Sequence, residues 1–123
     1  MSLQIRSQER KPCFFEISLA GRLDTNTYMQ LEQTFTLLMA TSVKGIVLDL
    51  AQIDYISSMG LRVILKAMKD LKVQGALFMV TNMQPQVKRV FDIAQILSDD
   101  SIFVSVEEAD RYYDAIQAKV KQG

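Results

Sequence analysis

Ile46-Val47-Leu48-Asp49-Leu50-Ala51-Gln52-Ile53-Asp54-Tyr55-Ile56-Ser57-Ser58-Met59-Gly60-Leu61-Arg62 carries three structural signals in succession. An apolar run comes first, a short polar turn follows, and two serines open a helical pattern. Ile46-Val47-Leu48 is apolar on successive positions, as expected of a strand covered on both faces, and predicts a strand over 45–50. Asp54 then falls in the loop. Leu61, Ile64, Leu65, Met68 and Leu71 recur at helical spacing and predict a helix from about Ser58 to Lys72, with Arg62, Lys66, Lys69 and Asp70 off the stripe. This order places the hydroxyls of Ser57 and Ser58 at a helix N-terminus. Backbone N–H groups are unpaired there and the helix dipole is positive, so phosphate is favoured.

Working outward, strands alternate with helices. Residues 3–9 and 13–20 read as a hairpin around Arg10-Lys11-Pro12. In its second strand Cys13, Phe15, Ile17 and Leu19 alternate with Phe14, Glu16 and Ser18, mostly apolar in and polar out. Gly21-Arg22-Leu23-Asp24 turns the chain, and Asp24 or Thr25 can cap a helix carrying Tyr28, Leu31, Phe35, Leu38 and Met39 through residue 40. After Gly75, Ala76-Leu77-Phe78-Met79-Val80 is a second continuously apolar strand. Pro85 suits the first turn of a third helix that turns Val87, Val90, Phe91 and Ala94 inward. Residues 101–104 make a short last strand. Ser105-Val106-Glu107-Glu108 has capping-box spacing and opens a terminal helix with Ala109, Tyr112, Tyr113, Ile116 and Val120 on one side; residues 121–123 are expected to fray. The expected fold is a single α/β domain over residues 1–123, core about 3–119. Its mixed sheet has about four or five strands, begins with an antiparallel hairpin, and carries about four α-helices.

Composition narrows the chemistry. The 123 residues are 49% apolar and 23% charged with a net charge of +0, ordinary values for a globular domain. No basic stripe is visible, so nucleic acid is not an expected partner. The chain has no histidine and one cysteine, which leaves no zinc ligand set and no imidazole catalysis. Cys13 reads as a small buried hydrophobe. No apolar run approaches the roughly 20 residues needed to cross a bilayer, so no membrane insertion and a cytoplasmic location are expected. No glycine-rich phosphate loop is present and no cofactor is expected. Catalysis would rest on carboxylates such as Asp49 and Asp54, which would have to converge with perturbed pKa values. Turn formation accounts for Asp54, and an enzyme is not expected.

Ser57 and Ser58 read in two compatible ways. Either hydroxyl can cap the helix, worth about 1 kcal/mol, and the same geometry exposes a hydroxyl to modification. Gly60 in a first turn costs roughly 1 kcal/mol against alanine, which points to a tight turn or to close backbone approach by a partner or by the Asp24 loop. Met59 reads as exposed at the helix start.

Three segments together resemble the STAS domain family, which includes the bacterial anti-sigma factor antagonists. Gly21-Arg22-Leu23-Asp24 is similar to the family's Gly-x-Leu-Asp loop, Ile46 to Leu65 to its switch motif, and Asn82-Met83-Gln84-Pro85-Gln86-Val87 through Ile93 to its Asn-x-x-Pro-x-Val segment. The resemblance implies an antagonist that binds an anti-sigma factor/serine kinase when unphosphorylated. Phosphorylation releases it, a PP2C-type phosphatase restores it, and sigma-factor-dependent transcription follows. Ser58, two residues before Gly60, then becomes the phosphoacceptor, with Ser57 as the alternate. Asp24, Ser57, Ser58, Met59, Gly60 and Leu61 become the partner-binding surface. Ser57 stands where the family's best-known pattern, Asp-Ser-x-Gly, has aspartate. The alternative within the family is an accessory STAS subunit of a transporter, lipid-transport or stress-signalling complex that uses no phosphoswitch.

Overall fold

The structure, a computed structural model, describes residues 3–94, 102–103 and 106–122, with side chains for 3–93 and 107–115. Strands β1 (Gln4–Lys11) and β2 (Phe14–Leu23) form the hairpin, followed by helix α1 (Tyr28–Met39) and strand β3 (Gly45–Ile56). Helix α2 (Ser58–Val73), strand β4 (Leu77–Thr81), helix α3 (Pro85–Ala94), strand β5 (Ile102–Phe103) and helix α4 (Val106–Gln122) complete the order. The sheet runs β1-β2-β3-β4-β5, antiparallel at β1–β2 and parallel thereafter.

This order never reverses, so right-handed crossovers must lay α1, α2 and α3 on one face of the sheet. The packing agrees. Leu31, Phe35, Val63, Ile64, Ala67, Leu71, Val87 and Phe91 from these helices share one buried cluster with Ile17, Leu19, Ile46, Leu48, Leu50 and Val80. On the other face α4 brings Ala109 and Tyr113 against Phe14, Val47 and Met79. Coverage of both faces explains the unbroken apolar runs of β3 and β4.

Several local expectations change. Phe14, assigned to the polar side of its strand, is fully buried because α4 covers that side. Cys13 is a half-buried turn residue at φ 66, not a strand residue pointing inward. It follows Pro12 in a two-residue hairpin turn, and its carbonyl accepts the Lys44 and Gly45 N–H groups at 2.7 and 3.3 Å. In α2 the fully buried residues are Gly60, Val63, Ile64, Ala67 and Leu71, while Leu61, Leu65 and Met68 are half-buried. The buried stripe thus includes Gly60 and Ala67 beside the large residues. Val87 and Phe91 of α3 are buried and Val90 is half-buried, as expected. The side chains of Ala94, Ser105, Ile116 and Val120 lie outside the described residues.

Candidate functional site

β3 outruns its neighbour β4. The β3–β4 pairing ends at Asp49 and Thr81, yet β3 continues to Ile56 along β2, so Asp54 lies in a strand and not in the expected loop. Its register against β2 slips twice: Ser18 faces Asp49 while Ala20 faces Gln52, and Gly21 faces Ile53 while Arg22 faces Tyr55. Each slip adds one residue to β3, which bends a strand and leaves its extra backbone groups without ladder partners. Side chains supply them. The Asp49 carboxylate accepts the Ala51 N–H at 3.0 Å and the Asn82 amide at 3.2 Å. The Gln84 amide donates to the Ala51 carbonyl at 2.9 Å, and the Gln86 amide reaches the Asp54 carbonyl at 3.5 Å. Asn82 sits at φ 60, a left-handed conformation that asparagine tolerates. The Asn82–Gln86 segment thus holds the far end of β3 from the side that β4 leaves open. Asp49 is committed to this work and does not converge with Asp54 as a catalytic pair.

At that end the chain forms a tight rim. The Ser57 N–H donates to the Leu23 carbonyl at 2.8 Å, continuing the β2–β3 pairing into the helix start. Ser57 is the N-cap of α2: its backbone is extended, and its hydroxyl accepts the Gly60 N–H at 3.2 Å. Gly60 is required by proximity. A Cβ there would lie 2.6 Å from Leu23 Cγ, closer than real Cβ atoms approach, and 3.1 Å from the Leu23 carbonyl oxygen, itself a tight contact. Of the two readings of Gly60, close approach to the strand that leads into the Asp24 loop is the one observed.

The structure separates the two hydroxyls. Ser57 is 8% exposed with its side chain turned to its own helix, whereas Ser58, the first residue of α2, is exposed. Met59, expected to be exposed, is half-buried, as is Leu61.

Asp24 does not cap α1 in the expected way. The N-cap is Thr27, without a side-chain bond into the helix. The Asp24 carboxylate instead accepts the Asn26 N–H at 2.9 Å and the Thr27 hydroxyl at 3.2 Å, making a local turn of its own. The Thr27 hydroxyl in turn accepts the Asp24 N–H at 2.9 Å and lies 2.7 Å from the Arg22 carbonyl. These bonds, the Asn26 amide first, hold the Asp24 carboxyl below its ordinary pKa, so the rim carries a fixed negative charge.

Two neighbours of this rim escaped sequence reasoning. Arg22 lies 4.3 Å over the Tyr55 ring with its Nε 3.9 Å from Asp24. That pair depends on the β2–β3 register, which no local pattern discloses. Met29, in the first turn of α1, is 63% exposed. Its position off the apolar stripe of α1 was the available signal.

Among the described residues no group of three or more Cys, Asp or Glu is placed to hold a metal ion. An open depression of about 270 Å³ lies against Gln4, Arg6, Ser18, Asp49 and Gln52, without Ser58 in its lining. No helix among the described residues is long and apolar enough to cross a membrane. The features that converge are an exposed hydroxyl, a fixed carboxylate and partly exposed apolar side chains on a surface, an arrangement suited to docking.

Comparison with known proteins fits this geometry. Residues 4–109 match the family model described as "STAS domain". BtrV of Bordetella bronchiseptica, provisionally named an anti-sigma factor antagonist, is 40% identical over 81 residues, covering 65% of this chain and 69% of its own. The fold is similar to that of the anti-sigma factor antagonist SpoIIAA in its unphosphorylated form, with TM-score 0.78, 18% identity, and coverage of 94% and 97% of the two chains. It is also similar to that of the Bacillus cell fate determinant SpoIIAA in the phosphorylated form, with TM-score 0.74, 19% identity, and coverage of 89% and 99%. The family model spans most of the sequence and the fold agrees with it: the chain belongs to the STAS domain family.

Proposed function

We propose that this chain is a bacterial anti-sigma factor antagonist that works by partner switching in the cytoplasm, through binding and without catalysis of its own. Unphosphorylated, it docks an anti-sigma factor/serine kinase through Asp24, Ser58, Met59, Gly60 and Leu61, with Ser57 beneath them as the cap. Phosphorylation of Ser58 releases the partner, and a PP2C-type phosphatase resets the switch.

The observation that carries this reading is the division of labour between the serines. Ser57 is buried and capping, so Ser58 is the hydroxyl of the pair open to a kinase. A phosphate there adds about −1.5 to −2 charges beside the ionised Asp24 on a chain of net charge +0. The helix N-terminus tolerates that charge, so the fold persists while the docking surface gains negative charge. The names of the relatives support the partner class.

The test is peptide mass spectrometry after incubation with ATP and a lysate of the source bacterium. Phosphate on Ser58, absent from Ser58→Ala, is expected. Ser58→Ala should bind the captured anti-sigma factor constitutively, and Ser58→Asp should weaken binding. Equal binding by Ser58→Asp and the parent overturns the switch. No phosphate on either serine, in a lysate whose other switch proteins are modified, favours an accessory STAS module instead.

A further inference from the structure

Arg62 lies four residues after Ser58 on α2, and both side chains are exposed. Residues four apart share a face of an α-helix, and helical side chains lean toward the N-terminus. A long side chain at position 62 therefore reaches back over the turn that carries Ser58. Arg62 makes no hydrogen bond or ion pair with a described residue, whereas Arg10, Lys11, Arg22 and Lys88 each face a carboxylate. Within Ser58–Leu65 no other residue is charged. The carboxylate of the rim, Asp24, is tied into its own turn by Asn26 and Thr27.

We propose that Arg62 is the intramolecular counter-ion of a phosphate on Ser58, a positioning residue that clamps the modified side chain to α2. The inference rests on Ser58 being the acceptor. A guanidinium presents a planar fork that binds phosphate oxygens in pairs, and an anion placed four residues before a cation is the favourable order on a helix. The clamp gives phosphorylation a second consequence. In the unphosphorylated chain the rim shows a partner a free hydroxyl and a free cation; in the phosphorylated chain both are occupied by each other. Asp24 is an anion and cannot serve the phosphate, and Arg22, the other cation of the rim, is already turned to Asp24 and the Tyr55 ring.

The experiment needs no kinase. Phosphoserine is installed at position 58 of the full chain during translation, and its second ionisation is followed by phosphorus NMR as pH is varied. The parent is expected to titrate below free phosphoserine, near pH 6. Arg62→Gln should raise the midpoint by about 0.3 pH unit or more, Arg62→Lys should restore part of the shift, and the difference should shrink at high salt. Lys66→Gln, two turns from Ser58, is the control and should leave the midpoint in place. Equal midpoints for the parent and Arg62→Gln overturn the clamp, and so does an equal shift from Lys66→Gln, which would mean a general charge effect. Because the phosphate is placed by translation, these outcomes stand apart from whether cells phosphorylate Ser58.

Discussion

The two ends of the sheet are held by different means. At the hairpin end, side chains lock to one another. Phe14 stacks on Tyr113 with ring centroids 4.1 Å apart and planes 7° from parallel. A Cβ on Gly45 would meet these rings at 3.0 and 3.1 Å. Arg10 bridges Glu16 and Asp110, and Lys11 reaches Asp114 at 2.6 Å, so α4 is bound to the hairpin by rings and charges. At the opposite end the holding bonds run to the main chain, from other main-chain groups and from the side chains of Asp49, Gln84 and Gln86. Leu23 bonds Ser57, Gly60 lets the helix meet the strand, and the Asn82–Gln86 segment fastens the overhang of β3. Because none of these bonds uses the Ser58 side chain, its hydroxyl stays exposed at this end.

The largest expected effect breaks the locked end. Tyr113→Ala removes a buried ring and should cost about 3 kcal/mol in urea unfolding. If the ends are independently built, amide NMR shifts around Ser57–Leu61 should stay in place at temperatures where the variant remains folded; movement there would show the two ends coupled. Gly60→Ala attacks the backbone-held end. The overlap with Leu23 should cost about 2 kcal/mol net, although alanine is the better helix former by about 1 kcal/mol. Adding Leu23→Ala should recover part of the loss, and strict additivity in the double-mutant cycle would contradict the close approach as its cause.

Ser57→Ala should cost about 1 kcal/mol as a lost cap, again by urea midpoint. Ser57→Asp should keep the cap, because a carboxylate accepts the same N–H. The smallest effect concerns acid. The Asp24 carboxyl titrates below its ordinary value of 3.8 in the folded state, so its contribution is present above that pH and is lost as pH falls through the folded pKa. The urea midpoint of the parent should therefore fall more steeply than that of Asp24→Asn between about pH 5 and about pH 2. Parallel curves would mean that the turn is held without the charge.

Much of this was legible in the chain. Apolar runs, turn residues and helical stripes disclosed the alternation of strands and helices, because both periodicities are local properties of the backbone. Ser57 as a cap and Gly60 as a point of close approach were also readable, since an unpaired helix amide and a glycine in a first turn have few explanations. Cys13 was misplaced because alternation cannot distinguish the last turn residue from the first strand residue. The strand end near Asp54 was misplaced because β3 continues along β2 to Ile56, paired with residues about thirty positions upstream and supported by Gln84 and Gln86 from downstream. The buried stripe of α2 was read from large residues, while Gly60 and Ala67, which are also buried, carry little hydrophobic signal.

By itself, then, the sequence determined the elements, their order and the pair of serines at a helix start, because these follow from spacing along one chain. Only the tertiary structure decided which serine faces outward, where β3 ends, and that Arg22 meets Tyr55. Each of those depends on contacts between segments far apart in sequence, whose register and distance are set when the sheet and its helices pack.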